Sequence, residues 1–246
     1  MKSLQKVPTS THELRASYDQ LYQGWMGHHK NIDQAQRILR LLNIRPGTRL
    51  LDIGCGLGYV LDMAEAEGVM ACGIDISEVA LRLGKAEAAT RQLVLGDAER
   101  LPWPDESFDF LVNLGSLEHF VDPATAVSEM ARVMRRQGRA AVLVPNSHHI
   151  QAIYNVYRYG EILPDLQDFE RFATRVEWER LLESNGLRVL AVHKYDIGMA
   201  RMHRKGREVF WWLYNIFFHL FGRWIPLNLT YAFIFICARS DADNGA

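Results

Sequence analysis

Apolar positions along this chain follow two rhythms, and the alternation between them predicts its architecture. Up to about Asn43 the spacing is helical, with Ile32, Ala35, Leu39 and Leu42 on one face. Pro46-Gly47 breaks that pattern and introduces the first of several short apolar runs with β character. Strands are expected near 49–54, 70–75, 92–97, 108–114 and 140–145, with helical patterns between most of them. Asp122-Pro123 reads as an N-cap and first-turn pair, and Gly138, after Arg135-Arg136, as a helix stop. Thr174-Arg175-Val176-Glu177 has the form of a capping box opening a helix that Gly186 ends. Leu187 to Tyr195 would be a sixth strand, and Thr230 to Ala238 a seventh, apolar on both faces. Repeated strand–helix alternation predicts a doubly wound α/β fold, a mostly parallel sheet covered on both sides. Ligands of such sheets lie at the carboxyl ends of the strands.

Those strand ends carry the chemistry. Residues 50 to 58 read Leu50-Leu51-Asp52-Ile53-Gly54-Cys55-Gly56-Leu57-Gly58, followed at once by a helix-forming run from Tyr59 to Ala66. This is a strand, a tight turn without large side chains, and a helix N-terminus. Glycine lets backbone approach a ligand closely and adopt torsions that a β-carbon forbids. A dinucleotide fingerprint would need its third glycine one residue later, where Tyr59 stands, and a Walker loop would need a following Gly-Lys-Ser/Thr. Asp52 suits a cationic amine better than a pyrophosphate.

Roughly 20 residues on, where a second strand would carry a ribose-binding acid, the chain reads Ala71-Cys72-Gly73-Ile74-Asp75-Ile76-Ser77. A third strand ends in Gly96-Asp97-Ala98, followed by Leu101-Pro102-Trp103-Pro104 and Ser107-Phe108-Asp109. Together these segments resemble class I S-adenosylmethionine methyltransferases, and Leu117-Glu118-His119, with Asp122-Pro123 after it, resembles the ubiquinone/menaquinone-biosynthesis members. The resemblance covers about residues 45 to 145. It implies a Rossmann-like, seven-stranded sheet whose last strand is antiparallel, with S-adenosylmethionine as cofactor. It also implies cofactor contacts at Asp52, Gly54, Gly56, Gly58, Asp75, Ile76, Asp97, Ala98 and Asn113. Asp75 would accept from the ribose hydroxyls and Asp97 from the adenine amine, and the Ala98 amide would donate to a ring nitrogen. On this reading 1–44 is a helical cap, 45–145 the cofactor-binding core and 146–246 the substrate-side half of one domain.

His119 is the candidate general base, because imidazole titrates near working pH; the alternative is a histidine that merely packs and bonds backbone. Glu118 could contact the cofactor's amino group or be a solvated helix residue, and the second reading is favoured. Tyr18, Tyr22 and Trp25 precede the core, and Tyr18 is a candidate cofactor contact, since aromatic faces suit a sulfonium. Ordinary packing of an amphipathic helix explains these aromatics as well. His28-His29 and His148-His149 lack metal-ligand spacing, and no metal is expected.

Composition narrows the partners. The 246 residues, 48% hydrophobic and 23% charged, carry a net charge of −1, which offers no general attraction to nucleic acid. Nor does the fourth strand end in the Asn/Asp-Pro-Pro-Tyr of many nucleobase-directed enzymes; it reads Asn113-Leu114-Gly115-Ser116. Cys55, Cys72 and Cys237 read as small buried thiols in a reducing compartment, and the amino terminus lacks a signal-peptide core, so a cytoplasmic location is expected. A basic cluster from Arg201 to Arg207 leads into a run, Val209 to Phe221, that is apolar around most of its circumference. Within this insertion, about 201–226, three readings stand open: a pocket lid, a homodimer contact, or a peripheral membrane patch. The function expected is methyl transfer to a small-molecule or lipid-linked acceptor, with oxygen favoured over carbon. The alternatives are a non-catalytic S-adenosylmethionine-binding module and an NAD-dependent oxidoreductase.

Overall fold

The computed structural model describes residues 8–24, 32–160, 169–195 and 224–240. Two helices, α1 (Thr11–Gln23) and α2 (Ile32–Leu42), precede the sheet. Then β1 (Arg49–Ile53), α3 (Tyr59–Ala66), β2 (Met70–Asp75), α4 (Glu78–Glu87), β3 (Gln92–Leu95) and β4 (Phe108–Leu114) alternate. A 3₁₀ turn (Leu117–His119) leads to α5 (Pro123–Val133), β5 (Met134–Pro145), α6 (Ile150–Tyr159), α7 (Arg175–Ser184), β6 (Leu187–Tyr195) and β7 (Ala232–Arg239). The strand order is β3-β2-β1-β4-β5-β7-β6, parallel from β3 through β5. The last strand inserts between β5 and β6 and runs antiparallel to both, so β6 forms the edge.

Alternation along the central strands sorts side chains into two cores. Leu51, Ile53, Leu111, Val142, Phe233 and Phe235 face α5 and α7, meeting Val127, Met130, Trp178 and Leu182. Leu50, Val112, Ala141, Leu143, Ile234 and Ile236 face the other way, onto Ile38, Leu39 and Leu42 of α2 and Leu61 and Ala64 of α3. The near-continuous apolar strands follow from this two-sided burial.

The caps follow the sequence. Asp122 accepts from the amides of Ala124 and Thr125, and Thr174 and Glu177 form the reciprocal capping box. Gly138 departs from expectation. The helix already ends at Val133, and Gly138 lies within β5, where 134–139 bulges against 108–110 of β4. A β-carbon there would stand 2.6 Å from Met134 Cγ and 3.0 Å from the Asp109 carbonyl oxygen. The glycine serves close packing at a bulge, not helix termination.

Candidate functional site

The Gly54–Gly58 turn leaves β1 by bonding back to β2, the amides of Gly54 and Cys55 donating to the Ile74 carbonyl at 2.8 and 3.1 Å. Gly54, Gly56 and Gly58 all have positive φ, and Gly58 caps α3 in a left-handed conformation. At Gly56 the need for glycine is double: φ is +53°, and a β-carbon would stand 2.5 Å from the Tyr22 hydroxyl oxygen. At Gly54 a β-carbon would overlap Ser116 from the loop after β4. The turn therefore presents bare backbone between two neighbouring elements.

Carboxylates mark the strand ends. Asp52, on β1, is buried at 2% exposure beside Asp75, and burial reinforced by that neighbouring charge pushes its pKa from 3.8 up to about 8. Asp75, ending β2, accepts from the Gly56 amide (2.7 Å) and the Ser77 amide (2.8 Å). Burial raises its pKa, while these amide bonds oppose the rise. A carboxylate has about four acceptor positions, so it retains capacity for further donors. Asp97, past β3, accepts from the Glu99 amide at 2.9 Å and from Thr11 Oγ1 at 3.1 Å. Ile76 is half-buried in the next turn, and Ala98 is buried behind Asp97.

Helix α1 crosses this edge. Besides Thr11 on Asp97, Asp19 accepts from Ser77 Oγ (2.6 Å) and the Val79 amide (3.2 Å). Tyr22 lies over the glycine turn, and burial followed by the charge of Asp75 raises its phenol pKa well above 10. Tyr18, the expected cofactor contact, points farther along: its ring meets His119 edge-on at 5.8 Å between centroids. Thus Tyr22 lies over the turn, and Tyr18 stands between Tyr22 and His119, within the field of both Asp75 and Glu118. Trp25, His28 and His29 lie outside the described residues, as does most of the aromatic segment 201–226.

That loop is built from long-range contacts. Asn113 is fully buried; its Nδ2 donates to the Ile53 carbonyl (3.0 Å) and its Oδ1 accepts from the Leu117 amide (3.0 Å). Asn113 therefore ties β1 to the 3₁₀ turn. His119, 2% exposed, holds its Nδ1 against the Phe169 carbonyl oxygen, while its Nε2 stands 3.7 Å from Glu118 Oε1. A carbonyl can only accept, so Nδ1 carries the proton and, in the neutral ring, Nε2 carries the lone pair. Glu118 is buried at 5% exposure, not solvated, because the turn points it inward. His148 pairs with Ser147 Oγ at 2.7 Å, and His149 caps α6, two separate local uses.

Three residues escaped the sequence reading. Thr11 and Asp19 lie on an unremarkable polar face, and nothing local marks them as partners of strand ends. Arg91, buried and bonded to both Asp62 oxygens, also donates to the Leu57 carbonyl at 2.8 Å and the Gly84 carbonyl at 3.0 Å. It braces the glycine turn from behind. A lone arginine beside a strand gives no signal of that role.

Comparison with known proteins adds an independent finding. Residues 51–142 match the family described as a methyltransferase domain. The chain is 41% identical over 127 residues to the 27-O-demethylrifamycin SV methyltransferase of Amycolatopsis mediterranei, a match covering 47% of each. It is 28% identical over 196 residues to the demethylmenaquinone methyltransferase of Staphylococcus aureus, covering 70% of this chain and 81% of that one. The match therefore spans about half the length of the rifamycin relative and about four fifths of the menaquinone relative. In fold, the chain resembles one from the complex between the Haloferax volcanii Trm112 methyltransferase activator and its candidate methyltransferase. That likeness has a TM-score of 0.68 at 16% identity, covering 94% of this chain and 100% of that one.

Proposed function

We propose that the chain is a class I S-adenosylmethionine-dependent methyltransferase, as its methyltransferase-domain match and its relatives support, and that it transfers a methyl group to a small-molecule acceptor, at oxygen in preference to carbon. The single observation carrying this reading is that one helix, α1, meets both halves of the proposed site. Its Tyr22 lies over the glycine turn next to buried Asp52 and Asp75, and its Tyr18 meets the ring of buried His119 edge-on.

The residues present fit S-adenosylmethionine. The cradle at Gly56 leaves no room for a side chain, and buried Asp52 and Asp75 offer counter-charge to a ligand bearing ammonium and sulfonium. The cofactor, when bound, supplies an electrophilic methyl group. Asp52 would accept from its amino group, Asp75 from its ribose hydroxyls, and Asp97 from its adenine amine, with the Ala98 amide donating to the ring. Gly54, Gly56, Gly58 and Ile76 would contact it through backbone and apolar surface. The turn and α1 exclude water, which favours displacement at a desolvated centre. His119 would take the acceptor's hydroxyl proton on Nε2, since Nδ1 is held by the Phe169 carbonyl. Tyr18 would bound the acceptor beside that imidazole.

The relatives' names support acceptors of this size: one methylates a demethylrifamycin whose name specifies an oxygen, the other a demethylmenaquinone. A lipid-linked acceptor falls within the same reading. Among the described residues no helix is long and apolar enough to cross a membrane. Peripheral contact or homodimerisation would fall to the segment 201–226, whose sequence joins a basic cluster to an apolar run. Sedimentation with anionic vesicles tests that contact, and recovery of all protein in the supernatant would remove it.

The function is tested by incubating the protein with S-adenosylmethionine and a panel of phenols, hydroquinones and hydroxylated macrocycles, following S-adenosylhomocysteine release. Acceptor-dependent release is expected, reduced by roughly 10²–10⁴-fold in His119→Ala with cofactor affinity retained. Cofactor binding without turnover on any acceptor would leave only a binding module. Binding of NAD instead of S-adenosylmethionine would overturn the family-based reading of the site.

A further inference from the structure

The imidazole that the proposed function relies on is positioned by a chain segment about fifty residues away, and the contacts holding that segment form one unit. Phe169 is buried and offers its carbonyl to His119 Nδ1. Two residues on, the Arg171 amide donates to the Glu118 carbonyl at 3.0 Å, the residue just before the histidine. The Arg171 guanidinium then reaches the carbonyl of Phe120 with Nη1 and that of Val121 with Nη2, the latter at 2.9 Å. Residues 169–171 thus run alongside 118–121, bonded before, at and after His119.

We propose that Arg171 is a positioning residue for His119, its guanidinium locking the segment that keeps Nδ1 protonated and Nε2 turned to accept a proton. The proposal rests on the reading of His119 as the base. A guanidinium is suited to this because its planar fork meets two adjacent carbonyls at fixed spacing, whereas an ammonium is a point donor. Burial lowers the Arg171 pKa against the opposing pull of Glu99 and Asp122, yet an arginine remains charged throughout the working range. Glu99 adds a second tie on the same loop, accepting from the Asp122 amide at 2.8 Å. Among the described residues, the titratable groups facing the imidazole include Glu118 on its own turn and Tyr18 from α1, with Glu170 acting on Tyr18 from the clasping segment. Nδ1 itself lies against the Phe169 carbonyl. Without the guanidinium, that carbonyl would be released and both ring tautomers would become accessible.

The experiment combines a double-mutant cycle with long-range ¹H–¹⁵N spectra of the imidazole, using the full chain with S-adenosylmethionine and an acceptor found by the turnover screen. Wild-type protein should show His119 as the Nδ1–H tautomer, and Arg171→Ala a mixture of tautomers. Arg171→Ala should lower kcat between about 10-fold and 100-fold, with cofactor Kd changed by less than about 2-fold. Arg171→Lys should recover only part of that loss. In the His119→Ala background, Arg171→Ala should cost nothing further, since what it positions is gone. An unchanged tautomer in Arg171→Ala, or an equal loss of kcat in both backgrounds, would sink the positioning role while leaving His119 as the base. Full turnover by His119→Ala would instead remove the base itself, and Arg171's role with it. Should Arg171→Ala fail to fold, Arg171→Lys carries the same test, because unaltered tautomer and kcat in that variant would contradict the need for a two-carbonyl fork.

Discussion

The two sides of the proposed site are built on different plans. On the proposed cofactor side, the turn after β1 and the acids of β1 and β2 interact within a span of 26 residues, 52 to 77, with parallel strands setting their spacing. On the proposed acceptor side, the loop after β4 is held by residues far away in the chain: Phe169 and Arg171 clasp 118–121. Helix α1 spans both, with Thr11, Asp19 and Tyr22 on one side and Tyr18 on the other. The two walls meet where Ser116 Oγ donates to the Gly54 carbonyl at 3.3 Å and Asn113 Nδ2 to the Ile53 carbonyl at 3.0 Å. The difference teaches where constraint arises: backbone geometry sets the turn of the first wall, and clasps from distant segments set the loop of the second.

Substitutions can break this comparison, and the largest effect is expected at the turn. Gly56→Val should weaken S-adenosylmethionine binding by at least about 100-fold, because a β-branched residue at positive φ is strained and collides with Tyr22. Calorimetry measures it, and circular dichroism should show the sheet intact. Next in size is the residue that joins the walls. Asn113→Ala leaves the Ile53 carbonyl and the Leu117 amide without their partner, at a cost of about 1–3 kcal/mol. It should lower Tm and impair both cofactor affinity and turnover. Loss of turnover alone would mean that the walls are independent even there.

Asp52 supplies a pH test confined to one wall. Its pKa is raised in the folded protein to about 8 by burial and by Asp75, so the native state holds a proton that the unfolded chain releases near 4. That contribution to stability is complete below about pH 4 and is lost as pH rises through about 8. Asp52→Asn should therefore flatten the decline of Tm between pH 5 and 9. A cationic ligand favours the carboxylate, so binding at pH 7 should release up to about one proton, read from calorimetry in buffers of different ionisation enthalpy and abolished in Asp52→Asn. The smallest effect is expected at Tyr18→Phe, which keeps the ring edge on His119 and should leave kcat within about 3-fold.

Much of the first wall was legible from residue order. The acids at 52, 75 and 97, the N-caps at Asp122 and Thr174, and the strands themselves depend on neighbours close in sequence, where spacing along the chain becomes spacing in the fold. Legibility failed where a side chain's role depends on what arrives from afar. Gly138 looks like a helix stop until β4 is seen to press on it, and Glu118 looks like a surface residue until residues 169–171 cover its turn. Tyr18 and Tyr22 are four residues apart on one helix, so no pattern separates the one over the glycine turn from the one at His119.

By itself, then, the sequence determined an alternating α/β sheet with a bare-backbone turn and a row of acids at its edge, since periodicity and local capping are short-range properties. Only the tertiary structure decided which nitrogen of His119 holds a proton, which tyrosine covers the turn, and that Asn113 is a brace. Those outcomes rest on pairs brought together by folding, such as Thr11 with Asp97 and His119 with Phe169. Separation along the chain says nothing about such contacts until both cores have closed around the sheet.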